Sequence, residues 1–159
     1  MIRLILPELH EISDPRRSGS IRGLPLEPDA LPSRILLNQS LRAADGSART
    51  YRWSVPYFIL WEADPRIVGS IGGKGLLAEE EDVELGYNVA KAYRGRGIAT
   101  RAIAEMRKLA SRDGLSLLAH LEPENAASRR ALVKNDFTLD GTVRLPDSLD
   151  LERWTWSPD

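Results

Sequence analysis

Apolar residues in this chain fall in short runs whose spacing changes from element to element. Residues 1–6 are apolar except for Arg3 and predict a strand. Residues 13–32 carry Pro15, Gly19, Gly23, Pro25, Pro28 and Pro32 and predict a loop. Ser33 has the chemistry of a helix N-cap, Leu37 and Leu41 lie one helical turn apart, and Asp45-Gly46 ends that segment. Two strands follow, over about 52–61 and 66–72, with Asp64-Pro65 as the turn between them. In the first, Phe58-Ile59-Leu60-Trp61 is apolar at consecutive positions, so both faces are expected to be covered. Tyr51, Trp53, Tyr57 and Trp61 read as sheet and core packing.

The next loop holds Gly73-Lys74-Gly75 and the acidic run Glu79-Glu80-Glu81-Asp82, read as a solvated face. Residues 83–89 form a third strand, in which Gly86 predicts a bulge or a close backbone approach. From 97 to 113, Ile98, Ala102, Met106 and Leu109 recur at helical spacing, with Arg101, Glu105, Lys108 and Arg112 outward. Gly114 suits the position just past that helix. Residues 115–121 predict a buried strand, and Asn125 caps a helix running to about Asn135. Residues 137–145 and 149–156 predict two final strands joined through Pro146-Asp147. The order is strand, helix, three strands, helix, strand, helix, two strands, which is α/β with a mixed sheet. A chain of 159 residues suits one domain over 1–159.

Composition narrows the chemistry. With 0 cysteines, a disulfide scaffold, a thiolate nucleophile and a zinc ribbon are excluded. His10 and His120 alone make no histidine-rich metal site, and no metal is expected. Hydrophobic content of 42% and charged content of 28% fit a globular chain. No apolar run nears the ~20 residues that span a bilayer, and charge returns at Glu8, so neither membrane nor leader is expected and the location is read as cytoplasmic. The net charge is −1, and Arg16-Arg17 is too short to make a basic patch, so nucleic acid is not an expected partner.

The informative stretch is residues 83–100. A strand feeds Arg94-Gly95-Arg96-Gly97, and a helix starts at once. A helix start presents unpaired N–H groups and the positive end of the dipole. Gly95 and Gly97 let the backbone approach a diphosphate, and Arg94 and Arg96 add charge; the plainer alternative is a tight turn. Gly69 to Gly75 has the wrong spacing for a Walker A loop, and no helix follows it. A dinucleotide fingerprint would need a third glycine at Thr100, although Glu122 stands where a ribose acid would; an NAD(P)-binding oxidoreductase remains the alternative.

The segment Arg94-x-x-Gly97-x-Ala99 resembles the acetyl-CoA pyrophosphate loop of the GNAT N-acetyltransferase family. Glu84-Leu85-Gly86-Tyr87-Asn88-Val89 resembles the strand before that loop in the branch that acetylates ribosomal-protein N-termini, and Ile67 to Gly72 resembles the strand preceding it. Residues 125–132 resemble that branch's Asn-x-x-Ser helix. The resemblance spans about 50–145; it departs at Asp136-Phe137, where the family usually has Gly-Phe, and residues 7–32 are only weakly similar.

The resemblance implies a GNAT fold: a mixed, mostly antiparallel sheet, splayed at the cofactor site and flanked by helices. It implies acetyl-CoA as cosubstrate, with the pyrophosphate on Gly95, Arg96, Gly97, Ile98, Ala99 and Thr100 beside Arg94. The pantetheine would lie along Tyr87, Asn88 and Val89, and Asn125 and Ser128 would also contact the cofactor. The Tyr87 N–H would polarise the thioester carbonyl. Glu84 is the candidate base, with a strand-edge carboxylate paired to an arginine as the competing reading. Ser128 is the candidate donor to the leaving sulfur, and His120 is read as structural. In this family Trp154 and Trp156 would lie near the acceptor cleft. The acceptor is a primary amine on a protein N-terminus or a small molecule; a non-catalytic acyl-CoA-binding module is a further alternative. Monomer and homodimer both stay open.

Overall fold

A computed structural model describes residues 1–13, 19–43, 46–76, 81–146 and 149–159. The predicted elements at Arg16-Arg17, Asp45, Glu79-Glu80 and Asp147 lie outside the described residues. Strands β1 (Ile2–Ile5), β4 (Tyr57–Trp61), β5 (Arg66–Gly73), β6 (Asp82–Val89), β7 (Ser116–Leu121), β8 (Thr138–Arg144) and β9 (Asp150–Trp156) form a 7-stranded sheet in the order β1-β4-β5-β6-β7-β9-β8. Among the described strands of this sheet, β6 and β7 pair in parallel and the other neighbours pair antiparallel. The expected mixed, mostly antiparallel architecture is present. A doubly wound parallel sheet, which the NAD(P) alternative needs, is not.

One face of the sheet is covered by helix α4 (Ile98–Asp113), which buries Ile98, Ala102, Ile103, Met106 and Ala110. They pack against Val83, Leu85, Leu117 and Ala119 in the largest apolar cluster. Gly114, at φ 69, closes α4: its N–H donates to Ala110 and Ser111 carbonyls. The opposite face of β4 and β5 meets Ile21, Ala30 and Leu31. Phe58 and Leu60 join that second cluster while Tyr57 and Ile59 join the first, so β4 is indeed apolar on both sides.

The N-terminal third carries most of the differences from the sequence reading. Residues 9–13 form a short helix, α1 (Leu9–Ser13), and the expected loop contains a hairpin of β2 (Ser20–Ile21) and β3 (Leu24–Pro25). Its two turn residues, Arg22 and Gly23, both take positive φ, the geometry that matches strand twist. Arg22 is held there by a two-pronged ion pair with Glu11. Helix α2 (Arg34–Ala43) begins where Ser33 was expected to start it. The strand expected from 52 begins instead at Tyr57. Residues 48–52 form helix α3 (Ala48–Arg52), because the Ser47 side chain accepts from the Thr50 N–H. Trp53 is buried there and donates to Asp113 at 2.7 Å, tying α3 to the end of α4.

Candidate active site

Two consequences of strand geometry make the site. The first is an open edge on β6. Polar groups of successive strand residues point to opposite sides. Lys74 N–H donates to the Glu84 carbonyl at 2.8 Å and Ala90 N–H to the Val68 carbonyl at 2.7 Å, so even-numbered residues of β6 face β5. The Leu85, Tyr87 and Val89 main chain therefore faces β7. That ladder ends at Glu84↔Leu118, because β7 diverges beyond it. The expected bulge at Gly86 is absent: pairing with β5 runs unbroken from Gly69↔Val89 to Gly73↔Leu85. Divergence of β7, not a bulge, leaves the Tyr87 and Val89 backbone unladdered.

The second consequence is side-chain parity. Val83, Leu85 and Val89 point into the core under α4. With no bulge to reverse the order, Glu84, Gly86 and Asn88 share the other face.

A cavity of about 520 Å³ opens on the splayed edge. Of the residues expected to hold the cofactor, Tyr87, Asn88, Val89, Arg94, Gly95 and Gly97 line it. So do Ile98, Ala99, Thr100, Asn125 and Ser128. Gly95 and Gly97 adopt φ 78 and φ 73, and a Cβ on either would meet open space. That space is where the main chain can be touched. The first intrahelical bond of α4 is Arg101 N–H to the Gly97 carbonyl, leaving the N–H groups of Ile98 to Thr100 for another acceptor. Two side chains depart from expectation. Arg96 does not line the cavity; its guanidinium lies 5.0 Å over the Tyr93 ring. Arg94 lines it, yet its Nε donates to the Val89 carbonyl at 2.8 Å, bracing the loop against β6. The Asn88 side chain donates to the Asp29 carbonyl at 2.7 Å, and its main chain, like that of the other even-numbered residues of β6, is turned to β5.

Helix α5 (Ala126–Val133) closes the cavity. Asn125 caps it, accepting from the Ser128 N–H at 3.1 Å. The Ser128 side chain hydrogen-bonds Tyr87; burial pushes the Tyr87 phenol above its ordinary pKa, and this bond opposes the shift. Sequence reasoning missed Arg130 and Lys134, which line the same cavity one helical turn apart and give it positive charge. Their i, i+4 spacing after the cap was the available signal. It also missed Asn135. This buried side chain donates to the Thr100 carbonyl at 3.0 Å and the Ala131 carbonyl at 2.8 Å, locking α5 to the first turn of α4.

Glu84 is not paired to an arginine. Its Oε1 accepts from Lys74 Nζ at 2.8 Å and lies 3.0 Å from His120 Nδ1. Burial works to raise the Glu84 carboxyl, but the bonds from Lys74 and His120 outweigh it and hold the group below the ordinary carboxylate range. Trp154 and Trp156, expected near the acceptor cleft, are both buried in the core, and Arg107 stacks 4.9 Å over Trp156. Tyr51, Trp53, Tyr57 and Trp61 are structural, as read: Tyr51 donates to the Pro7 carbonyl at 2.7 Å, and Trp61 packs edge-on to Tyr93.

A sequence profile of the acetyltransferase (GNAT) domain matches residues 6–138. The chain belongs to the GNAT acetyltransferase family. The structure is similar to RimL, a ribosomal L7/L12 α-N-protein acetyltransferase in complex with coenzyme A, at TM-score 0.71 and 15% identity over 99% of this chain and 94% of that one. It is similar to the microcin C7 self-immunity acetyltransferase MccE, in complex with acetyl-CoA and AMP, at TM-score 0.68 and 17% identity over 98% and 92%. It also resembles the Salmonella typhimurium acetyltransferase that modifies the N-terminal serine of L7/L12, at TM-score 0.58 and 19% identity over 65% and 63%. At these identities the likeness is one of fold. No curated protein sequence matches the chain. Among the described residues, no helix is long and apolar enough to cross a membrane.

Proposed function

We propose that this GNAT domain moves the acetyl group of acetyl-CoA to a primary amine by direct attack on the thioester. The observation that carries this reading is the unladdered main chain of Tyr87 and Val89, facing a cavity that begins at the start of α4 and ends at Ser128. An extended, amide-bearing pantetheine pairs with such an edge as a further strand does. Its diphosphate meets the N–H groups at the start of α4, beside Arg130 and Lys134.

In this reading the Tyr87 N–H stabilises charge developing on the thioester oxygen. The amine nitrogen bonds to the carbonyl carbon, and the carbon–sulfur bond breaks. The amine proton passes to Glu84, directly or through one water. The thiolate takes a proton from Ser128, which is replenished through the Tyr87 hydroxyl bonded to it. Because Lys74 and His120 keep Glu84 ionised, its own titration falls below the range in which alkyl amines lose protons.

Release of coenzyme A thiol tests both roles. Glu84→Gln keeps the shape and removes the basic site. Its kcat/KM is expected to fall about ten- to ten-thousand-fold near neutral pH and to recover as rising pH supplies free amine. A Glu84→Gln enzyme that matches the wild type at every pH refutes the base. Ser128→Ala is expected to lower kcat by a similar factor with acetyl-CoA affinity nearly unchanged. A kcat within about twofold of wild type leaves sulfur protonation to solvent.

A further inference from the structure

On the far side of β6 from the cofactor cavity lies a second cavity of about 350 Å³, small for a ligand site. Tyr87 borders both, so an occupant of the second reaches the thioester end of the first. Its floor is the cross-strand pair Gly72↔Gly86, which contributes no side chains. A Cβ on Gly72 would stand 2.9 Å from the Pro56 Cα and one on Gly86 3.2 Å from Lys74 Cε, so the bare pair lets Pro56 and Lys74 pack closely over it. Leu31, Pro32 and Pro56 supply apolar wall. Among the described lining residues, Lys74 is the one that carries a charge.

Lys74 does not stand alone. Its Nζ is 2.8 Å from Glu84 Oε1, on the strand face that Gly86 shares. Glu84 itself lines the adjoining cavity, which Lys74 and Gly75 also border, so one cation and one anion stand side by side where the two cavities meet. An ammonium has three donors and a carboxylate about four acceptor sites, so neither is used up by the other. An occupant with an ammonium and a carboxylate on one carbon matches this pair in reverse order. Its ammonium meets Glu84, which must take its proton, and its carboxylate meets Lys74. A bare amine or a polyamine brings only positive charge against Lys74, and a peptide N-terminus offers an amide where the carboxylate should be.

We infer that the acceptor is a free α-amino acid with an uncharged apolar side chain, its carboxylate paired to Lys74 and its side chain lodged against Leu31, Pro32 and Pro56. This rests on the acetyl transfer proposed above and names the substrate class for the same site.

The test is thiol release by the full chain with acetyl-CoA, using leucine, valine and phenylalanine, each beside its amide, with 3-methylbutylamine as the bare amine. Rates are compared per concentration of free amine. The free acids are expected to exceed their amides and the bare amine by at least about tenfold in kcat/KM, the cost of one lost charged contact. Lys74→Met is expected to collapse that ratio to within about threefold, chiefly through KM, and Lys74→Arg to retain the preference. Amides or the bare amine used as well as the acids overturn the inference, as does a Lys74→Met enzyme that keeps the wild-type ratio. Binding of acetyl-CoA, followed by its change in melting temperature, separates the two failures. If acetyl-CoA binds and none of the amino acids is acetylated, the acceptor class is wrong and the cofactor reading stands. If acetyl-CoA does not bind, both fall.

Discussion

Gly97 sits at φ 73 with open space where a side chain would go, at the first turn of a helix whose N–H groups face a cavity. Those two properties must be separated in any mutational test. A β-branched residue at positive φ strains the backbone itself, so Gly97→Val confuses folding with binding. Asparagine tolerates the left-handed region, and Gly97→Asn adds a side chain to the space a diphosphate would fill. The acetyl-CoA Kd is expected to rise at least about tenfold, while the melting temperature without ligand moves by no more than a few degrees. Unchanged affinity in a folded Gly97→Asn protein removes the cofactor from this loop. Most of this loop was legible in the sequence because its physics is local: two glycines alternating with two arginines, then a helix. The Glu84 neighbourhood was not. Lys74 and His120 reach it through sheet register, from 10 residues before it and 36 after. No spacing along the chain encodes that meeting.

Among the elements, helix α4 and strands β5, β6 and β7 follow their periodicity closely, because each buries one clear set of positions. The misread elements are those where a local cap or turn overrides the pattern. Residues 48–52 have strand-like aromatics but follow a serine cap, and the β2–β3 turn uses Arg22 where an asparagine or glycine would have signalled a hairpin. Asp136 is an instructive case. It stands where the resembled family carries glycine, and it takes φ 61 just after α5. The left-handed turn is thus kept without the glycine, and Arg107 pairs with the Asp136 carboxylate at 3.0 Å. Asp136→Gly and Asp136→Ala both remove that exposed pair and differ only in backbone freedom. The glycine variant is expected to be the more stable by about 1 kcal/mol, some 2–4 °C in melting temperature for a chain of this length. An alanine variant as stable as the glycine one contradicts a left-handed Asp136.

At the scale of the molecule, β6 acts as a partition. Its odd-numbered backbone edge faces the cavity of about 520 Å³, Gly86 and Asn88 line the one of about 350 Å³, and Tyr87 borders both. This arrangement follows from one topological fact: the parallel pair β6–β7 separates after Glu84↔Leu118 while β5–β6 stays paired. The sequence order of strands and helices made the mixed sheet legible. The place where the sheet opens was legible only through resemblance, since strand divergence leaves no mark in hydropathy. Gly86, read as a bulge or a close approach, makes no bulge and instead leaves room for Lys74, whose Cε would stand 3.2 Å from a Cβ there. Trp154 and Trp156 lie in the core because β9 pairs with β7 along its length, Trp156 opposite Leu117 and Trp154 opposite Ala119.

The central claim is that the opening between β6 and β7 binds acetyl-CoA. The most direct measurement is the melting temperature of the full chain with acetyl-CoA, coenzyme A or NADH at equal concentrations. Ligand present at 100 times its Kd stabilises the folded state by about 2.7 kcal/mol, or roughly 5–11 °C for 159 residues. Acetyl-CoA and coenzyme A are expected to raise the melting temperature by that amount, and NADH to leave it unchanged. A shift with NADH and none with acetyl-CoA would contradict the account.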